Sequence, residues 1–364
     1  MIADREARLG YQPSLDGLRG IAVSLVVLDH ASIPPFLGWG QLGVILFFVL
    51  SGFLITTLLI QEREATGHID VKAFYLRRAL RLLPALAVLL IGVTVLMLVS
   101  GRGEEIAVDV LSTLFYVRNW FTAFGENPGV LSHAWSLSIE EQFYIFWPAT
   151  FLLLILYWRE RWRGLIATLL CLALISTMLR AAIWIGGDYN RALWGTDTRL
   201  DAILIGCALA FIRWRWHASL PWYVGIIGLA VVVLTGFMDE SSRVLVGMAI
   251  VSIAGAAVVL ACLNSRLLAW RPLVAIGTVS YGVYLYHRPI ARIFVDNGLG
   301  GQLAAAAAIA TISLILAWLS YRYVERPALR LKSRWQRQPV SGLAGSAAVA
   351  IPSGESESRP GLTG

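Results

Sequence analysis

One arginine and one histidine interrupt a long apolar run, DGLRGIAVSLVVLDH, from Asp16 to His30. Arg19 and His30 are eleven residues apart. At about 100° per residue, eleven steps return to within roughly 20° of the start, and at about 1.5 Å per residue they cover about 16 Å. On a helix the guanidinium and the imidazole therefore share one face at two depths. A guanidinium holds phosphate, and a neutral imidazole takes a proton from a hydroxyl. Both are costly in an apolar helix and point to a functional site. Singly, each has a blander account: an arginine snorkelling to the interface, or a histidine bonded to a neighbouring helix. The shared face, with Asp29 beside His30, favours the site. Asp29 itself lies one residue away, about 100° around the helix, and is a poor orienter of the ring.

Four further stretches carry chemistry-bearing residues. In FYLRRALRLLP, Phe74 to Pro84, Arg78 and Arg81 are three apart and Arg77 and Arg81 four apart, on the approach to an apolar run. A helix N-terminus there offers free N–H groups to an anion, and arginine adds bidentate phosphate contacts. Arg77 reads as ordinary topological charge. In HAWSLSIEEQFYIFWP, His133 to Pro148, Glu140 and Glu141 lie at the entrance of another span, with one of them available to orient a histidine or an arginine. An interfacial belt accounts for Trp135, Phe143, Tyr144 and Trp147. In TDTRLDAILIG, Thr196 to Gly206, Asp197 and Asp201 share a face, and a structural ion-pair network with Arg180 is the favoured role. In SYGVYLYHRPI, Ser280 to Ile290, Ser280, Tyr284 and His287 form one helical stripe. Such hydroxyls usually bond a neighbouring helix, and the histidine adds a ligand contact.

The elements that carry these residues are membrane spans. The chain of 364 residues is 57% hydrophobic and 15% charged, with mean hydropathy +0.69; a soluble domain carries nearer 25% charge. Runs approaching the ~20 residues of a bilayer crossing predict about ten transmembrane helices: 17–37, 41–61, 80–100, 138–158, 164–186, 196–213, 221–237, 243–263, 273–294 and 302–322, with an amphipathic or re-entrant piece at 106–124. The expected class is an all-α polytopic bundle. Arg5, Arg8, Arg63, Lys72, Arg77, Arg78, Arg81, Arg159, Arg161, Arg163, Arg213, Arg215, Arg266, Arg271 and the tail from Arg322 fall on one set of connections, and Arg102, Arg118, Arg191 and Arg243 on the other. This asymmetry places both termini in the cytoplasm. It also accounts for the net charge of +7 without nucleic acid. Residues 1–332 read as the membrane domain and 333–364, rich in Ser, Gly, Ala and Pro, as a disordered cytoplasmic tail. The first run lacks a small-residue cleavage site and is followed at once by a second span, so it is no signal peptide. Cys171, Cys207 and Cys262 have no metal-ligand spacing and read as small buried hydrophobes; no metal site is expected.

Taken in order, LDGLRGIAVSLVVLDH, FFVLSGFLIT, FYLRRALRLLP, WSLSIEEQFY, TRLDAILIG and SYGVYLYHRPI resemble the acyltransferase 3 family of integral-membrane O-acyltransferases. The resemblance runs from about Leu15 to Pro327, and the first block, with ten residues between Arg19 and His30, is its most specific part. It implies ten transmembrane helices in the cell (inner) membrane and transfer of an acyl group, usually acetyl, from cytoplasmic acyl-CoA. The implied acceptor is a hydroxyl of an envelope glycan, or of a macrolide or other secreted metabolite. It puts Arg19 and His30 at the catalytic centre and Arg78 and Arg81 in an Arg-x-x-Arg motif. Arg288 departs from the family, where an aromatic more often follows the histidine. Many relatives also carry an extracytoplasmic hydrolase-like domain, whereas this chain reads as the single-domain type.

The residues fit such a reaction on their own terms. Arg78, Arg81 and Arg19 would hold the donor's phosphates at the cytoplasmic mouth, and the pantetheine arm would extend along the first helix to His30. A neutral His30 would take the hydroxyl proton as that oxygen attacks the thioester, with Glu140 or Glu141 orienting the ring. No serine or cysteine sits in a nucleophile setting, so direct transfer is favoured over an acyl-enzyme. No bound cofactor is needed beyond the acyl-CoA itself. The rival class is a transporter or flippase for a lipid-linked glycan; it would show inverted repeats and broken helices in matching halves, and the sequence displays neither.

Overall fold

The computed structural model describes residues 10–101, 106–125, 129–159, 161–263, 265–296, 298–299 and 301–335, the last five by backbone alone. Arg5, Arg8, Arg102 and residues 336–364 of the expected tail lie outside the described residues. Among the described residues the chain is helical with no strand. Six helices are long and apolar enough to cross a membrane: Gly40–Thr66, Val71–Val99, Ser132–Trp158, Trp162–Ile185, Glu240–Cys262 and Gln302–Arg330.

α1 (Pro13–His30) opens with proline at its first position, where the fixed φ suits a helix and no bonded N–H is lost. It ends at His30, short of the expected 37, ahead of Pro34 and Pro35. α2 (Gly40–Thr66) returns beside it and is the most buried of the six spans. α3 (Val71–Val99) starts well before the expected 80, because the Asp70 carboxylate caps it by accepting the Ala73 N–H at 2.9 Å. Arg78 and Arg81 are therefore inside the helix, not at its N-terminus, and any anion they hold meets guanidinium groups rather than free backbone N–H.

α4 (Ile106–Leu114) and α5 (Arg118–Ala123) form the expected short piece. They are joined by an Arg118–Asp109 pair at 2.8 Å with both side chains buried, and Asp109 also accepts the Leu131 N–H. A 3₁₀ turn (Ser132–Ala134) leads into α6 (Trp135–Trp158). There follow α7 (Trp162–Ile185), α8 (Tyr189–Trp194), α9 (Thr196–Trp216), α10 (Trp222–Gly236) and α11 (Glu240–Cys262), the last with a π-helical turn at Arg243–Gly247. The expected ninth span is two helices, α12 (Arg271–Thr278) and α13 (Ser280–Asp296), broken at Val279. α14 (Gln302–Ser320) continues through a π-helical turn into α15 (Arg326–Trp335).

Two expectations are corrected. Trp135, Phe143, Tyr144 and Trp147 are buried core, not an interfacial belt: Trp135 packs on Phe48 and Trp194, and Phe143 stacks on Trp147. They lie on the face of the helix turned into the bundle, so these rings meet other rings rather than headgroups, while Phe146, Leu153 and Leu156 take the exposed face. Cys207 and Cys262 are buried, but Cys171 is exposed on the outer face of α7. The expected ion-pair network is present: Arg180 meets Asp201 at 2.8 Å, and Asp197 meets Arg191 at 2.6 Å.

Glycine lets α2 lie directly on α9. A Cβ at Gly52 would run into the Ile203 carbonyl, and one at Gly206 into the Val49 carbonyl. Where lipid tails are as apolar as leucine, such close backbone contact is what drives association. Gly52→Ala should therefore cost about 1–3 kcal/mol through overpacking and lower the melting temperature in detergent. Gly92→Ala, at an α3 position with open space around it, should be neutral or slightly stabilising.

Candidate active site

Three imidazoles from three segments meet at one end of α1. His30 ends α1, His287 sits midway along α13, and His133 precedes α6. The His30 and His287 rings are edge-on at 5.0 Å between centroids, and the His287 and His133 rings at 5.3 Å. Each ring faces a backbone carbonyl, which only accepts. His30 Nδ1–H therefore donates to Val26 at 2.9 Å, His287 Nδ1–H to Tyr284 at 2.7 Å and His133 Nε2–H to Leu285 at 3.1 Å. His133 and His287 are buried, while His30 keeps accessible surface. His30 is thus the ring of the three that a ligand can touch, and its remaining nitrogen, Nε2, carries the lone pair. Among the described residues no group of three or more His, Cys, Asp or Glu side chains is arranged to hold a metal ion.

Arginines gather about three helical turns away along α1. Arg19 bonds Asp16 at 2.9 Å. Arg78 is gripped by Glu141 through two bonds, 2.6 Å and 3.1 Å, and its guanidinium lies 3.0 Å over the Tyr144 ring. Arg81 has no ion pair among the described residues. It is exposed, yet stands within electrostatic reach of Arg19, Arg78, Asp16 and Tyr144, and Glu325 is near it. Those neighbours belong to α1, α3, α6 and the turn before α15, so Arg81 stands among charged and aromatic groups from four elements. Arg77 bonds Glu62 at 2.8 Å and belongs to the scaffold.

The glutamates were expected at the outer end of a span, with one of them available to orient a histidine or an arginine; Glu141 does hold an arginine, Arg78, and so lies at the depth of Arg78. The chain reaches the level of the histidine cluster before α6 begins, so Glu140 and Glu141 are already turns inside the bundle, where an arginine must neutralise one of them. Glu140 accepts from Ser51 Oγ and from Tyr144 Oη at 3.0 Å. Neither carboxylate bonds His30 among the described residues, so Val26 rather than a glutamate orients that ring. Asp29 accepts the Gly38 N–H, in keeping with its angle on the helix.

Of the α13 stripe, His287 joins the cluster. Tyr284 Oη donates to the His133 carbonyl at 2.7 Å and pairs with Ser136 Oγ at 2.5 Å, and Ser280 is buried two turns from His287. Arg288 is within electrostatic reach of His30 and His133. The sequence reading left His133 without a role. Its signal was present, an imidazole one turn ahead of a Trp-Ser-Leu-Ser helix start, but nothing in spacing tied it to His30.

Fold and site define a membrane-embedded helical bundle with buried imidazoles at one depth and arginines at another. The family model described as an acyltransferase domain, acyltransferase 3, matches residues 12–322, and the chain belongs to that family. O-acetyltransferase OatA of Staphylococcus aureus strain NCTC 8325 is 38% identical over 352 residues, covering 87% of this chain and 57% of that protein. A putative O-acetyltransferase of Staphylococcus aureus strain MSSA476 is 36% identical over 352 residues, covering 88% and 58%. The chain thus spans less than three fifths of these relatives' length. No solved structure matches it.

The Arg78–Glu141 pair generates a test. Removing one partner of a buried pair typically costs 3–5 kcal/mol, whereas replacing both with apolar groups is often near neutral. Glu141→Leu should sharply lower the amount of folded protein in the membrane, and Arg78→Met with Glu141→Leu should recover much of it. Equal loss in the single and double variants would mean that the two side chains are not coupled.

Proposed function

We propose that this chain is a membrane O-acyltransferase that moves an acyl group, most simply acetyl, from acyl-CoA to a hydroxyl of a carbohydrate or glycosylated acceptor in the cell envelope or on a secreted metabolite. The observation that carries the reading is an accessible imidazole lone pair at one end of α1 and, about three turns down that helix beside Arg19, the guanidinium of Arg81 from α3, which has no ion pair among the described residues. The relatives' names, O-acetyltransferase, support the acetyl donor and the oxygen acceptor.

The proposed steps follow from the geometry. Arg81, with Arg19 beside it, holds the donor's phosphates. Arg78, occupied by Glu141, shapes that pocket rather than binding directly. The pantetheine arm runs up the α1 face, bringing the thioester carbonyl to His30. His30 Nε2 takes the proton as the acceptor oxygen forms its bond to the carbonyl carbon. The C–S bond then breaks, and the proton passes to the departing thiolate. His287, buried against His30, backs that ring rather than touching the acceptor. In this reading the arginine end opens to the cytoplasm, and the protein spans the cell membrane with both termini inside.

Two outcomes check this. A general base contributes roughly 10²–10⁴-fold, so His30→Ala should abolish transfer at a normal membrane level. His30→Gln, which bonds hydrogen but takes no proton, should be nearly as poor, and wild-type activity should fall as acid protonates the imidazole. A fully active His30→Gln enzyme at normal abundance would sink the base assignment. For orientation, reporter fusions at Thr66 and Arg215 should read cytoplasmic and a fusion at Gly187 extracytoplasmic; inversion at any two of these sites would remove the path for acyl-CoA.

A further inference from the structure

His133 takes no part in the steps above, yet its contacts are specific. Pro289 lies in α13, and a proline inside a helix has no N–H for the carbonyl four residues before it. That carbonyl belongs to Leu285, the group that receives His133 Nε2–H at 3.1 Å. The preceding carbonyls are also held by a side chain, because His287 Nδ1 bonds Tyr284 at 2.7 Å and Val283 at 3.2 Å. The backbone of His133 is fixed in turn, its own carbonyl accepting from Tyr284 Oη at 2.7 Å. The entry to α6 and the proline-interrupted turn of α13 are thus clasped in both directions, and the His287 ring within that turn packs on His30.

Stability alone does not account for this arrangement. His133 Nδ1 and His287 Nε2 are both buried without a partner among the described residues, and an unsatisfied buried group typically costs about 1–3 kcal/mol. An apolar side chain in place of His287 would avoid that cost, whereas one in place of His133 would leave the Leu285 carbonyl without its donor. We propose that His133 is a positioning residue for the acyl transfer: it satisfies the carbonyl freed by Pro289, and so holds the His287 turn of α13 against His30. The inference rests on His30 being the base.

The test uses the full chain in membranes with acetyl-CoA as the probe, reading thiol release per mole of inserted protein above that of membranes lacking the chain. His133→Ala should lower kcat by up to about 10²-fold, the scale of a misplaced reacting group, with KM for acetyl-CoA near wild type. His133→Gln presents an amide N–H where Nε2–H stood and should restore most of kcat. Should His133→Ala not reach the membrane, His133→Asn, whose amide falls short of the carbonyl, takes its place. Unchanged kcat in the Ala or Asn variant would overturn the proposal, as would a loss explained wholly by lower protein level. Equal loss in the Gln variant would also overturn it, because the imidazole rather than its N–H would then matter. Thiol release that persists in His30→Ala would strike the proposed function instead, leaving the clasp itself to be judged by the Ala-to-Gln comparison.

Discussion

The Arg78–Glu141 ion pair is the constraint on which the rest of the site depends. A guanidinium and a carboxylate at this depth are each expensive alone. Together, bonded at 2.6 Å and 3.1 Å with the guanidinium over Tyr144, they fix α3 against α6. That bond settles which arginine is available. Arg78 has its counter-charge, and Arg81, one turn on, has none among the described residues and is exposed. The same bond fixes the depth of α6, and with it the place of His133 at the helix entrance.

From that placement the imidazole cluster follows. α6 starts beside α13, α13 packs on α1, and three rings from separate segments meet: His30 and His287 each donate to a carbonyl of their own helix, and His133 reaches across to α13. Their N–H groups all face backbone carbonyls, which leaves one lone pair on each ring, and of the three only His30 keeps accessible surface. An acceptor-rich, weakly solvated corner suits a hydroxyl that must lose its proton. It would suit a permanent cation poorly, with Arg288 already nearby. The α1 helix then sets the distance between Arg19 and His30 by its rise alone, about 16 Å.

The shared face of Arg19 and His30 was legible from spacing, because helical geometry is local. So was the pairing of Arg180 with an aspartate two helices on, since a lone buried arginine needs one. The depth of Glu140 and Glu141 was not legible. Hydropathy marks where a run becomes apolar, while the chain had already entered the bundle through α4 and α5, held by a buried Asp109–Arg118 pair. The start of α3 was missed for a related reason: the Asp70 cap adds turns that a hydropathy window scores as polar approach. His133 stayed hidden because its partner is a carbonyl freed by Pro289, more than a hundred residues away. That relation is one of tertiary contact, and no periodicity records it.

The proposed division between a phosphate-holding arginine and a proton-taking histidine can be measured without knowing the acceptor. Binding of CoA to the purified full chain, by titration calorimetry in detergent, should weaken at least tenfold in Arg81→Ala and stay near wild type in His30→Ala, although only the latter removes the proposed base. CoA affinity unchanged in Arg81→Ala, or lost equally in His30→Ala, would contradict the separation of the two roles between Arg81 on α3 and His30 on α1.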